Sequence, residues 1–272
     1  MSNLGQRVIT ALIGGTLVIA AISYGELTFL LLLLLIAVLA VLEFYRHLEH
    51  DHVQPQKSVG TLITILPFVS PILNSSTGIG INLLPVILIL PFIVFMRELW
   101  TKSEKPFTNI ALTLLGPIYL ALPLFLFYLL SFEGSGEKDY HPQNILGYLF
   151  ILWASDTGAY FTGRFLGKHK LFERISPKKT WEGFFGGLAL SVGVAYAVSQ
   201  YYTSFTPATW LTMSVVIACT GALGDLVESL FKRSIQVKDS GSILPGHGGI
   251  LDRFDALFIS APFVFVYLQL FN

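Results

Sequence analysis

Nine stretches of this chain are apolar and long enough to cross a bilayer as helices, at about residues 8–24, 26–42, 59–73, 79–96, 110–132, 145–166, 180–202, 206–231 and 251–271. A span needs about 20 mostly apolar residues, because lipid offers backbone N–H and C=O groups no partner and the helix must satisfy them internally. Composition points the same way. The chain is 53% hydrophobic and 12% charged, with mean hydropathy +0.67, whereas a soluble domain carries about 25% charged residues. The expected fold is all-α, a polytopic integral membrane protein of about nine transmembrane helices.

The basic residues give this count an orientation, since Lys and Arg in short loops favour the cytoplasmic side. With Arg7 inside, the inside loops hold Arg46 and Lys57, then Arg97, Lys102 and Lys105, then Arg164 to Lys179, then Lys232, Arg233 and Lys238, with Arg253 at the rim. Of 17 Lys and Arg residues, Lys138 alone falls outside. The reading is therefore an inside N-terminus and an outside C-terminus. Residues 1–24 resemble a signal peptide in length, but Arg7 is their one charge and no small-x-small cleavage site follows, so they are expected to stay as a span. A formal net charge of +0 gives no reason to expect a nucleic-acid partner, and the single Cys219 cannot form an internal disulfide.

Character changes along the chain. Residues 1–144 read as a transmembrane scaffold of about five helices, Leu/Ile-rich, punctuated by prolines and with no acid deep inside a span. Residues 145–272 read as a catalytic region of about four helices with cytoplasmic phosphate-binding loops. A carboxylate inside a span costs about 2.5 to 3.5 kcal/mol on insertion scales, so intramembrane acids point to function. Here they come late: Asp156 mid-span, Asp225 and Glu228 toward the inside end of the eighth span, and Glu182, Asp252 and Asp255 just past the inside starts of the seventh and ninth. Asp225, Glu228, Ser229 and Lys232 share one helical face, as do Asp252 and Asp255. Acidic faces on neighbouring helices suit Mg²⁺, which takes one or two carboxylates plus substrate phosphates. Structural ion pairing with Lys and Arg is the competing reading of the acids alone.

Two loops beside these acids favour phosphate. Ser176-Pro177-Lys178-Lys179-Thr180-Trp181-Glu182-Gly183 combines a cap residue, paired lysines and a helix N-terminus. Leu244-Pro245-Gly246-His247-Gly248-Gly249 lets backbone N–H groups approach an anion, with His247 as a candidate contact. The sequence has no serine-hydrolase elbow, zinc motif or cysteine nucleophile, so the chemistry expected is phosphate transfer by positioning and charge neutralisation.

Ser229-Leu230-Phe231-Lys232-Arg233, Lys238-Asp239-Ser240-Gly241 and the run from Leu244 to Asp255 together resemble the signature of phosphatidate cytidylyltransferases, the CDP-diacylglycerol synthases. Ser155-Asp156-Thr157, Gly163-Arg164, residues 176–183 and Gly224 to Ser229 resemble that family's other motifs, so the likeness runs from about residue 153 to 255. It implies CTP plus phosphatidate giving CDP-diacylglycerol and pyrophosphate at the cytoplasmic face of a membrane, with Mg²⁺ and optionally a monovalent cation such as K⁺. By that resemblance Asp225 and Asp252 lead as metal ligands. Ser176, Lys178, Lys179 and Thr180 hold phosphates, and Lys232, Arg233, Lys238 and Arg253 share their charge. Asp156, Glu182, Glu228, Ser229, Asp239, Asp255, Gly248 and Gly249 complete the expected site. Alternatives are a CTP-dependent polyprenol kinase and a secondary transporter. The compact chain favours a bacterial inner membrane as its location, with membrane lipids as neighbours, and a homodimer is one candidate state.

Overall fold

The computed structural model describes residues 3–49, 53–77, 83–134, 139–237, 241 and 248–271. Helices dominate: α1 Asn3–Tyr24, α2 Glu26–Leu48, α3 Lys57–Thr77, α4 Leu84–Glu98, α5 Pro106–Gly116, α6 Leu122–Leu129, α7 Pro142–Leu166, α8 Trp181–Tyr201, α9 Pro207–Ser234 and α10 Leu251–Phe271. Between α7 and α8 lies an antiparallel hairpin of β1 Lys170–Phe172 and β2 Ser176–Thr180, where the sequence indicated only a loop. Among the described residues six helical stretches are long and apolar enough to cross a membrane: Glu26–Leu48, Lys57–Asn74, Pro106–Phe132, Trp181–Tyr201, Pro207–Ser234 and Leu251–Phe271. The chain is a helical integral membrane protein.

The stretch expected as one span at 110–132 is α5, a π-helical turn Pro117–Ala121, α6 and a 3₁₀ turn Leu130–Phe132 in succession. The cause is local: Pro117 and Pro123 lack the N–H groups that would continue the regular ladder, and a widened turn absorbs the mismatch.

The chain forms two compact units, Met1–Phe125 with Asp239–Arg253, and Leu126–Lys238 with Phe254–Asn272. In the first, α2 packs against α1, α3 and α5. Its buried side carries Phe29, Leu33, Ala37, Ala40, Val41, Phe44 and Tyr45. A polar network fixes the α2 end: the Tyr45 hydroxyl donates to the Thr113 carbonyl (2.5 Å) and the Gln56 N–H to Thr113 Oγ1 (2.8 Å). Buried Glu98 accepts from Gln56 Nε2 at 2.6 Å and from Asn109 Nδ2 at 2.8 Å. A buried carboxylate without such donors would be strongly destabilising, so the two amides are what make Glu98 tolerable. Glu43 and Glu98 are 2% and 6% exposed, so the early half carries buried acids at the ends of its apolar runs.

In the second unit, α8 packs on both α7 and α9. The α7–α8 seam is made of glycines: a β-carbon at Gly158 would lie 2.7 Å from the Gly186 carbonyl oxygen, and one at Gly187 would lie 2.6 Å from that of Ser155. Larger residues would force the two helices apart. Trp210 of α9 lies over Gly147 of α7, and the Tyr148 hydroxyl pairs with Ser260 of α10. Asp156, Lys179, Asp225 and Asp255 all belong to this unit.

Candidate active site

The hairpin and the start of α8 are locked together by side chains that cap backbone. Thr180 Oγ1 accepts the Gly183 N–H at 3.1 Å, satisfying one of the orphan donors at the α8 N-terminus. Glu182, in the first turn of α8, reaches back to the Lys168 N–H (3.1 Å), the His169 N–H (3.2 Å) and His169 Nδ1 (2.6 Å). Its carboxylate therefore braces the hairpin's entry. Lys179 is half-buried on β2, while Lys178 beside it is exposed.

This bracing directs Lys179 into the helices. Its Nζ lies 2.7 Å from Asp225 Oδ2 and donates to the Ala222 carbonyl at 3.2 Å, both on α9. Asp156 of α7 and Asp255 of α10 lie within electrostatic reach of both Asp225 and Lys179. Four elements thus contribute to one charged cluster, three carboxylates against one ammonium. Gly224 makes the α9–α10 approach close, since a β-carbon there would lie 2.5 Å from the Asp255 carbonyl oxygen. Sequence reading quoted Gly224 within its motif and assigned it no task. Its signal is adjacency to Asp225 in a helix interior, where glycine otherwise costs about 1 kcal/mol.

Carboxylates gathered this closely are relieved either by holding a proton or by a cation. Among the described residues no group of three or more His, Cys, Asp or Glu is arranged as a metal cage. Oxygen donors in small number are the set that suits Mg²⁺ completed by substrate oxygens rather than a fully protein-bound ion.

Other expected residues sit elsewhere. Buried Glu228 pairs with Lys232 at 2.6 Å, one helical turn apart on α9. Ser176 is half-buried on β2, Ser229 is half-buried on α9, and Arg233 is exposed in the last turn of α9. Lys238, Asp239 and His247 lie outside the described residues.

Asp252, Arg253, Gly248 and Gly249 belong to the first unit. Gly248 has φ +85, a backbone conformation that favours glycine, and a β-carbon there would lie 2.7 Å from Asp252 Oδ2. The same oxygen accepts the Gly249 N–H at 3.0 Å, and the next N–H, of Ile250, goes to Glu43 Oε2 at 2.8 Å. The Gly249 N–H, which the sequence offered to an anion, thus donates to a carboxylate here, as does the N–H of Ile250. Arg253 is exposed at the start of α10. Glu43 was missed because the second apolar run was ended at residue 42, whereas α2 continues to Leu48.

The profile of the cytidylyltransferase family matches residues 5–271. The chain belongs to that family. Among cytidylyltransferase relatives, it is 36% identical over 266 residues to the phosphatidate cytidylyltransferase of Staphylococcus epidermidis, covering 96% of this chain and 98% of the relative. It is 38% identical over 213 residues to that of Staphylococcus aureus, covering 78% and 77%. The Staphylococcus haemolyticus enzyme is 34% identical over 266 residues, covering 96% and 98%. The early helices, which the motifs did not reach, fall inside the family match.

Proposed function

We propose that this chain is a phosphatidate cytidylyltransferase, joining CTP and phosphatidate to give CDP-diacylglycerol and pyrophosphate. The observation that carries the reading is the Asp156–Lys179–Asp225–Asp255 cluster within a chain that matches the family over nearly its whole length. A phosphate monoester has a second pKa near 6, so the lipid already presents an oxyanion at neutral pH. That oxygen forms a bond to the α-phosphorus of CTP as the bond from the α-phosphorus to its bridging oxygen breaks, and pyrophosphate leaves with the electron pair. Protein groups have little covalent work to do. They hold the two phosphates in line and neutralise their charge.

Within this proposal Lys179 supplies positive charge to the phosphates and orients Asp225. Asp225 offers Mg²⁺ its carboxylate, and Asp252, the second ligand implied by the resemblance, is to be tested separately. When bound, Mg²⁺ adds charge neutralisation at the transferring phosphate. Ser176, Lys178 and Thr180 remain the candidate phosphate contacts. Basic residues concentrated in alternate loops support nine spans, a cytoplasmic N-terminus and a cytoplasmic site, with α7 among the spans. Bacterial relatives support a bacterial membrane.

The deciding experiment is purified protein with phosphatidate, Mg²⁺ and CTP labelled either in cytidine or in the γ-phosphate. Cytidine label in the lipid supports the proposal. The γ-label in the lipid would mean a CTP-dependent lipid kinase, and flux across sealed vesicles without lipid turnover would mean a transporter.

A further inference from the structure

We propose that Glu43, on the helix read from sequence as scaffold, is a positioning residue for the reaction, fixing the backbone at Gly249 and Ile250 and with it Asp252. This rests on the proposed function, in which that segment serves nucleotidyl transfer.

Backbone from two places meets at the Glu43 carboxylate. Glu43 Oε2 accepts the Ile250 N–H at 2.8 Å. A β-carbon at Gly241 would lie 3.2 Å from Glu43 Cδ and 3.3 Å from Gly249 Cα. Gly241 and Gly249 are therefore neighbours in space, and Gly241 and the Ile250 N–H both lie against Glu43 of α2. The carboxylate is 2% exposed.

Placement at Ile250 matters because α10 begins at the next residue, Leu251. The first N–H groups of a helix have no partner inside it, and its N-terminus carries partial positive charge, so a buried carboxylate there is favourable on both counts. Glu43 thus caps α10 from another part of the chain. Asp252 caps locally by accepting the Gly249 N–H. With successive N–H groups held by two carboxylates, the peptide planes preceding α10 are fixed, and they aim the residues of its first turn. The α2 end is itself held by Tyr45 to Thr113. Glu43 accepts the Ile250 backbone N–H, and its proposed effect on the chemistry runs through the segment it holds.

The acceptor at this place, more than its charge, does the positioning, which sets an unusual order among variants. Glu43→Gln keeps a carbonyl oxygen within reach of the Ile250 N–H and loses the charge. Glu43→Asp keeps the charge and withdraws the oxygen by one methylene. Glu43→Ala removes both. The test uses the full chain purified in detergent, with hydrogen exchange across 241–253 and with kcat and KM measured for CTP and phosphatidate. Glu43→Gln is expected to keep protection and kcat within about threefold of the parent, while Asp and Ala lose roughly ten- to a hundredfold in both, with KM changing less than kcat.

If Asp retains kcat and Gln loses it, charge is what matters and the proposal is overturned. Unchanged exchange in Glu43→Ala overturns it equally, and where Ala fails to insert, the Gln against Asp comparison decides. A parent protein that transfers no cytidine to lipid removes the proposed function, while the exchange order still tells whether Glu43 holds the segment.

Discussion

Lys179 of β2 stands 2.7 Å from Asp225 of α9, joining a strand that precedes α8 to the helix that follows it. The Lys179 side chain is 22% exposed and that of Asp225 45%, so the pair is partly sheltered with one flank of the carboxylate open. A lysine so placed can serve substrate phosphate without releasing its partner.

Lys179→Ala should therefore lower kcat/KM for CTP by about 10²- to 10³-fold, the range found when a preorganised charge donor is removed. Lys179→Arg should recover part of that loss. Initial rates with cytidine-labelled CTP check both, and Lys178→Ala, whose side chain is exposed, should cost less than Lys179→Ala.

Metal dependence should be carried by Asp225. Chelation by EDTA should stop turnover and added Mg²⁺ restore it. Asp225→Asn should be inactive at every Mg²⁺ concentration while remaining inserted in the membrane. Asp252→Asn is expected to be inactive too, although its amide oxygen can still accept the Gly249 N–H; Asp252→Ala, which removes that acceptor, should show separately as faster hydrogen exchange near 249.

Gly224 and Gly221 should respond in opposite ways to a methyl group. At Gly224 the added carbon would meet the Asp255 carbonyl oxygen at 2.5 Å, while at Gly221 its nearest neighbour is Leu152 Cδ1 at 3.4 Å. Gly224→Ala should destabilise by about 1 to 3 kcal/mol and depress activity by separating α9 from α10 beside Asp225. Gly221→Ala should be neutral or stabilising by up to about 1 kcal/mol. Thermal unfolding in detergent compares them.

Glu182→Gln should loosen the hairpin. Its carboxylate gathers two N–H groups and a ring nitrogen, and a neutral amide accepts these less strongly. Trypsin should then cut faster at Lys168 and Lys170, with KM affected more than kcat. An unchanged cleavage rate would show that the hairpin is held by other contacts.

Helical membrane character was legible because it is written in uninterrupted composition, which needs no knowledge of tertiary contacts. The acids were legible for the reverse reason: a charge among apolar residues is conspicuous. The partner of each acid was not. Nothing local told that Lys179 would meet Asp225 or that Glu182 would turn to His169, since those pairings depend on how β1 and β2 fold back. The hairpin was hidden because Ser176-Pro177-Lys178-Lys179-Thr180 has no strand-like alternation, and its pairing is enforced from outside by Glu182. The break at Pro117–Ala121 is a backbone effect inside an apolar run, invisible to hydropathy. Glu43 escaped notice because it sits at the end of such a run, where a charge reads as ordinary interface.

The glycine seam beside Asp156 also limits traffic. At Gly158 and Gly187 the backbones of α7 and α8 touch, leaving no width for an acyl chain. If the proposed function holds, a lipid heading for the cluster around Asp156 has to arrive by a different gap, and bulky residues introduced along this seam would open a door that the close helix packing keeps shut.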